Sequence, residues 1–252
     1  MTLALKLPLA PLLLAQGLYA RWTVPRLPEA AGPRAGVVGD GPALGLWIIG
    51  DSSAAGVGVR TQDEALSGRL VAALAPRAAA AVHWRLIAKS GVTTAQALDL
   101  LHESAGDGTA DVAVVVTGVN DVVDQVPSAR AVAARVRLLA TLREHHRVRH
   151  VVFTPVPPMQ HFTGLPQPLR WIAGRDAAAH ERALAAWVAG QPSSSHLRFE
   201  LPLDDPALLA RDGFHPGAPL YRRWGERLAT HIADQVRPRL AISSPHDQRR
   251  AP

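Results

Sequence analysis

Four short segments carry residues able to share a proton or hold an anion. They are Gly50-Asp51-Ser52-Ser53, Lys89-Ser90-Gly91, Gly118-Val119-Asn120-Asp121 and Asp212-Gly213-Phe214-His215. Together they supply a hydroxyl, an imidazole, a primary amide, carboxylates and glycine backbone. That is the inventory for acyl transfer through a serine nucleophile. A serine hydroxyl attacks poorly at neutral pH unless a base takes its proton. His215 can be that base, since imidazole is the side chain suited to take and return a proton near neutral pH. Asp212 precedes it by three residues, so one turn can set the carboxylate against Nδ1–H, fix the tautomer and stabilise the imidazolium. The oxyanion of a tetrahedral intermediate needs preorganised donors. The backbone N–H groups of Ser52 and Gly91 and the side-chain amide of Asn120 are the candidates.

Residues so far apart meet only if the fold gathers them. Leu44–Ile49 is an apolar run ending at Gly50, the pattern of a buried strand. Apolar residues at helical spacing follow over Gln62–Ala75, closed by Pro76. Val82–Ala88 reads as a strand, Thr93–Ala105 as a helix capped by its threonine, and Asp111–Thr117 as a strand too continuously apolar for one wet face. Ser128–His146 reads as an amphipathic helix capped by Ser128, and His150–Thr154 as a strand stopped by Pro155. The proline-rich stretch 156–168 must be a loop. A helix over Leu169–Ala189, a short strand over Leu197–Leu201 and a last helix over Pro219–Val236 complete the pattern. Strands alternating with helices demand a parallel sheet covered on both faces, an α/β/α three-layer arrangement. Ligands of such sheets bind beyond the carboxyl ends of the strands, where three of the four segments fall.

These blocks resemble those of the SGNH (GDSL-type) hydrolase superfamily over residues 44 to about 236. Gly50-Asp51-Ser52 is similar to the first block with its nucleophile, Gly91 to the glycine of the second, Gly118-x-Asn120-Asp121 to the third, and Asp212-x-x-His215 to the last. Ser53 departs from the namesake pattern, which has Leu there. The resemblance implies a flavodoxin-like fold with a five-stranded parallel sheet. It further implies catalytic roles for Ser52, Asp212 and His215, an oxyanion hole from Ser52, Gly91 and Asn120, and metal-free hydrolysis of an ester, thioester or related acyl bond. An acyltransferase or a non-hydrolytic acyl-binding module on the same scaffold is the alternative. Neither metal nor cofactor is expected.

Other candidates read more plainly. Asp51 and Asp121 suit turn-orienting hydrogen bonds to nearby backbone. His145, His146 and His150 straddle a helix-to-strand turn and offer no preset ligand face. Met159, His161 and Phe162, in the loop after the fourth strand, are candidates for an acyl pocket. Trp171, Trp187 and Trp224 sit in predicted helices and read as core. There is no Gly-x-Ser-x-Gly elbow, no dinucleotide fingerprint and no Walker pattern.

At 252 residues and 48% hydrophobic, the chain can bury one sizeable core, and its lack of cysteine excludes disulfides and thiolate metal sites. The formal net charge of +6 sits in the two ends, at Lys6, Arg21, Arg26 and Arg34 and at Arg237, Arg239, Arg249 and Arg250, around a neutral body. Base-reading proteins concentrate cations on a folded surface instead, so nucleic acid is not an expected partner; a small-molecule or lipid-derived acyl ester is. Three divisions follow: an apolar helix and Pro/Gly-rich connector over 1–43, a hydrolase-like domain over 44–236, and a basic, disordered tail over 237–252. The apolar run Leu7–Ala20 is short for a bilayer span. It suits a secretory signal, a helix on the inner membrane face, or a helix packed on the body, and the uncleaved readings are favoured because Leu18 makes a poor cleavage site. The favoured location is accordingly the cytoplasm or the inner membrane face, with secretion or membrane anchoring as alternatives.

Overall fold

The computed structural model describes residues 2–197 and 205–242. Helix α1 (Thr2–Thr23) leads through a connector into the short strand β1 (Ala35–Val38). Then β2 (Ala43–Gly50), α2 (Leu66–Ala78), β3 (Ala81–Ala88), α3 (Thr94–Ala105) and β4 (Val112–Val116) alternate. The short α4 (Val119–Val123) and the long α5 (Ser128–Glu144) precede β5 (His150–Phe153). After α6 (Leu169–Ala189) and β6 (Ser194–His196) come α7 (Ala218–His231), a π-helical turn at Ile232–Val236, and α8 (Arg237–Ile242).

The sheet has six strands in the order β1-β3-β2-β4-β5-β6. Five run parallel, and their order is the flavodoxin-like one, reversing direction at β2. The sixth, β1, corrects the expectation of five. It lies antiparallel on the β3 edge, in the stretch read as connector. Its residues are mostly exposed, so no burial pattern marks it in the sequence. The strand expected over Leu197–Leu201 pairs earlier, at Ser194–His196, because polar residues make the ladder with β5; positions 198–201 lie outside the described residues. Helix α5 takes Pro127, not Ser128, as its cap residue. The final helical stretch runs on to Ile242, into the segment expected as a loose tail, because Val236 and Leu240 are buried against the body.

Side chains alternate across β2 as a strand requires. Trp47 and Ile49 pack with α3, α5 and α6, while Leu46 and Ile48 pack with α2 and α7. Both layers are dry, which fixes the register: a slip of one residue exchanges the two faces. At roughly 25 cal/mol per Å² of apolar surface buried, these two clusters dominate the stability of the domain. They also hold the carboxyl ends of β2, β3 and β4 level, and the chemistry-bearing loops leave from there.

Candidate active site

Gly50 ends β2 where a Cβ would lie 2.2 Å from the Val116 carbonyl, so only glycine lets the strands approach here. The chain then turns: Ala55 N–H donates to Asp51 O at 2.9 Å and Val57 N–H to Ser52 O at 3.0 Å. This places Ser52 at the mouth of the sheet. The hydroxyl of Tyr221 on α7 donates to Val57 O at 2.7 Å, tying the turn to the helix that follows the Asp-His segment.

Ser52 Oγ lies 2.9 Å from His215 Nε2, and His215 Nδ1 lies 2.6 Å from Asp212 Oδ2. The other carboxylate oxygen accepts from the backbone N–H groups of Phe214 and His215, each at 3.0 Å. Asp212 thus acts as the cap of its own turn and fixes the imidazole at the same time. Burial raises the Asp212 pKa, but the hydrogen bonds from the His215 side chain and from the two backbone N–H groups outweigh it, and the carboxyl ends below its ordinary value. The turn needs Gly213 at φ +63°, and a Cβ there would meet Thr163 Oγ1 at 2.4 Å. The loop after β5 therefore presses directly on the Asp-His turn.

The third block lies at the end of β4. Asn120 Nδ2 donates to Val92 O at 3.0 Å, which orients its amide and leaves a second N–H to donate. Asp121 does more than the local turn bond expected of it. It is buried, accepts from Thr94 N–H at 3.0 Å and Thr94 Oγ1 at 2.5 Å, and lies 3.6 Å from the buried guanidinium of Arg135. Arg135 in turn donates to Thr117 O at 3.2 Å. This network binds α3, the β4 loop and α5 into one block. Nothing in the local sequence marks Arg135, since its partners lie on other elements.

Gly91 adopts φ +84° with open space where a Cβ would be. Its loop is clamped from the connector: Ser90 N–H donates to Glu29 Oε1 at 2.7 Å, and Arg34 bonds both Glu29 and Ala88 O. Burial raises the Glu29 pKa, but the Ser90 and Arg34 contacts more than offset it, so the carboxylate is held below its ordinary value.

Asp51 is buried beside Ser52 and accepts from Ser53 N–H at 3.0 Å, as a turn-orienting residue should. Burial pushes its carboxyl up to about 7, against the Ser53 bond and the nearby His215. A pocket opens beside Ser52 and His215, walled by Val119, Pro155, Pro157, Phe162 and Phe214. Phe162 and Phe214 pack at 4.7 Å, and Phe214 lies 5.1 Å from the His215 ring. Of the three expected pocket residues, Phe162 is in this wall; Met159 is buried in the core and His161, half-buried, is not among the lining residues. Phe214 and the prolines were missed, and only their adjacency to His215 and Thr154 signals them.

The remaining candidates have other neighbours. His146 bonds Gly108 O at 2.9 Å and packs on Trp47, while His150 bonds Ser195. Trp224 is buried and Trp187 packs on Phe153. Trp171, expected in the core, is 42% exposed under Arg175, because that face of α6 looks outward.

A doubly wound sheet with hydroxyl, imidazole and carboxylate in series at its topological switch point is the layout of a serine hydrolase. The chain belongs to the GDSL-like Lipase/Acylhydrolase family, whose model matches residues 48–223. No curated protein matches it. Among solved structures it is similar to a lipase from a goat rumen metagenome (19% identity, 76% of this chain and 97% of that one, TM-score 0.63). It is also similar to a lipase/acylhydrolase from Enterococcus faecalis (18%, 75% and 95%, TM-score 0.57). A third is an acetylxylan esterase from Geobacillus stearothermophilus (16%, 77% and 95%, TM-score 0.54). These likenesses show the fold.

Proposed function

We propose that the protein cleaves carboxylic esters through an acyl-enzyme on Ser52. The observation that carries this is the continuous series Ser52 Oγ, His215 and Asp212, with contacts of 2.9 and 2.6 Å. Ser52 Oγ attacks the acyl carbon as its proton passes to His215 Nε2. The imidazolium is stabilised by Asp212, whose low pKa keeps it charged. The oxyanion takes hydrogen bonds from Asn120 and from the backbone N–H groups of Ser52 and Gly91. Collapse breaks the C–O bond, and the leaving alkoxide takes the proton from His215. Water then attacks the acyl-enzyme, gives its proton to His215, and the released Ser52 oxygen regains it. The apolar wall of Pro155, Pro157, Phe162 and Phe214 receives the acyl group.

Carboxylic esters of small molecules or lipids are the substrate class, with short acyl esters, lysophospholipids and acetylated sugars as candidates within it and acyl thioesters as the related sulfur case. Hydrolysis of a short p-nitrophenyl ester tests the reading. Ser52→Ala lowers kcat by roughly 10⁶-fold with an unchanged circular dichroism spectrum. Turnover by that variant at the wild-type rate overturns it.

A further inference from the structure

Six of the large apolar side chains that face solvent lie on one helix, α1: Leu7, Leu12, Leu14, Leu18, Tyr19 and Trp22, the last 91% exposed. Leu7, Leu14, Leu18 and Trp22 follow the spacing of one helical stripe. The opposite side looks inward and carries Leu9, Leu13 and the buried Ala20 together with the polar Lys6 and Gln16. Lys6 bonds Asp176 at 2.5 Å and Gln125 at 2.6 Å, while Gln16 donates to Gln167 O and accepts from Leu169 N–H. A helix that only covers the body keeps its apolar residues on the inner side; α1 carries them on both sides, so its outward leucines are left facing solvent. Val123 on α4 and Trp171 on α6 add exposed apolar surface on elements beside it.

We propose that this face docks on an anionic lipid membrane. The helix contains no acidic residue in its first turn and ends in the exposed Arg21, with Arg26 also exposed just beyond. Basic residues flanking an apolar stripe complement anionic headgroups, and Tyr19 and Trp22 suit the headgroup level, where amphipathic rings settle. A second copy seated on the same face offers Arg21 and Arg26 no opposite charge. No helix of the described residues is long and apolar enough to cross a membrane, and docking along the surface requires no crossing.

The inward side of α1 bonds two segments that lead away from the site. Lys6 holds Gln125, just after the helix that carries Asn120, and Gln16 holds the end of the loop that carries Phe162. Docking by α1 brings the hydrolase to a surface that carries lipid-derived esters, which favours them as substrates. That choice of substrate rests on the hydrolase reading; the docking does not.

Flotation with phosphatidylglycerol/phosphatidylcholine vesicles tests it on the full chain. Wild type floats with the mixed vesicles, less in high salt, and much less with phosphatidylcholine alone. The triple variant Leu14→Gln, Leu18→Gln, Trp22→Gln floats about tenfold less or worse, while turning over a soluble p-nitrophenyl ester within twofold of wild type. Ser52→Ala floats as wild type does, so loss of catalysis and loss of docking are separable. Equal flotation of wild type and triple variant, or no flotation of wild type, overturns the proposal. So does a dimer in light scattering that the triple variant converts to monomer, because the face then belongs to a second copy.

Discussion

Among the described residues, two serines touch an imidazole. Ser52 lies 2.9 Å from His215 Nε2, and Ser195 lies 2.7 Å from His231 Nε2. On distance alone the second contact is the closer. The surroundings separate them. His215 has a carboxylate on its other nitrogen, buried and itself held by two backbone N–H groups. Ser195 instead sits between two imidazoles, with His150 Nε2 at 3.0 Å, and the charges that act on those rings are all positive: His231 on His150, and Arg143, Arg227 and Arg239. Burial and these cations push His150 down to about 4 and His231 below its ordinary value. An imidazole that resists protonation is a poor acceptor for a serine proton. The Ser195 cluster also lies toward the amino end of β5, away from the pocket, which opens at the carboxyl end. A serine–histidine contact is therefore not a catalytic site by itself; the carboxylate and the strand end decide.

The largest break in this contrast comes from Asp212→Asn. The imidazolium loses its counter-charge, and kcat on a soluble ester falls by roughly 10⁴-fold while KM changes little. Asn120→Ala follows, with a loss on the order of 10²–10³ in kcat, because one oxyanion donor is gone. At the other cluster the effect is on stability. The His150 pKa is lower in the folded chain than in the unfolded one, so the unfolded state binds more protons between about 4 and the ordinary value of 6.5. That contribution is complete above this window and is lost as pH falls through it. The Tm of wild type should fall across it more steeply than that of His150→Gln, as scanning calorimetry can show. The smallest effect is Ser195→Ala on ester turnover, which stays within twofold of wild type.

Much of the positioning was legible in the sequence, because burial writes itself into period and composition. The all-apolar β4 was plain for this reason, and the Thr93 cap of α3 was plain from its residue type, whereas its Gln96 partner was not read. Ser52, Asp212 and His215 stand at strand or turn ends, and the structure brings them within hydrogen-bond distance of one another; their catalytic roles are what the variants test. What stayed hidden depends on distant partners. The edge strand β1 is exposed and has no period. Arg135 reads as one more helix arginine until Asp121 and Thr117 arrive from other elements. Phe214 shows nothing until the turn at Gly213 brings it against Phe162. The outward stripe of α1 was likewise invisible, since an apolar run alone does not say which side meets the body.

Labelling by a fluorophosphonate, followed by peptide mass spectrometry, puts the central contrast most directly to the test. The probe reacts covalently with a serine only where its proton is taken and the developing negative charge is held. The expected result is one adduct per chain, on Ser52, abolished in Ser52→Ala and unchanged in Ser195→Ala. An adduct on Ser195, or full labelling that survives Ser52→Ala, contradicts the account.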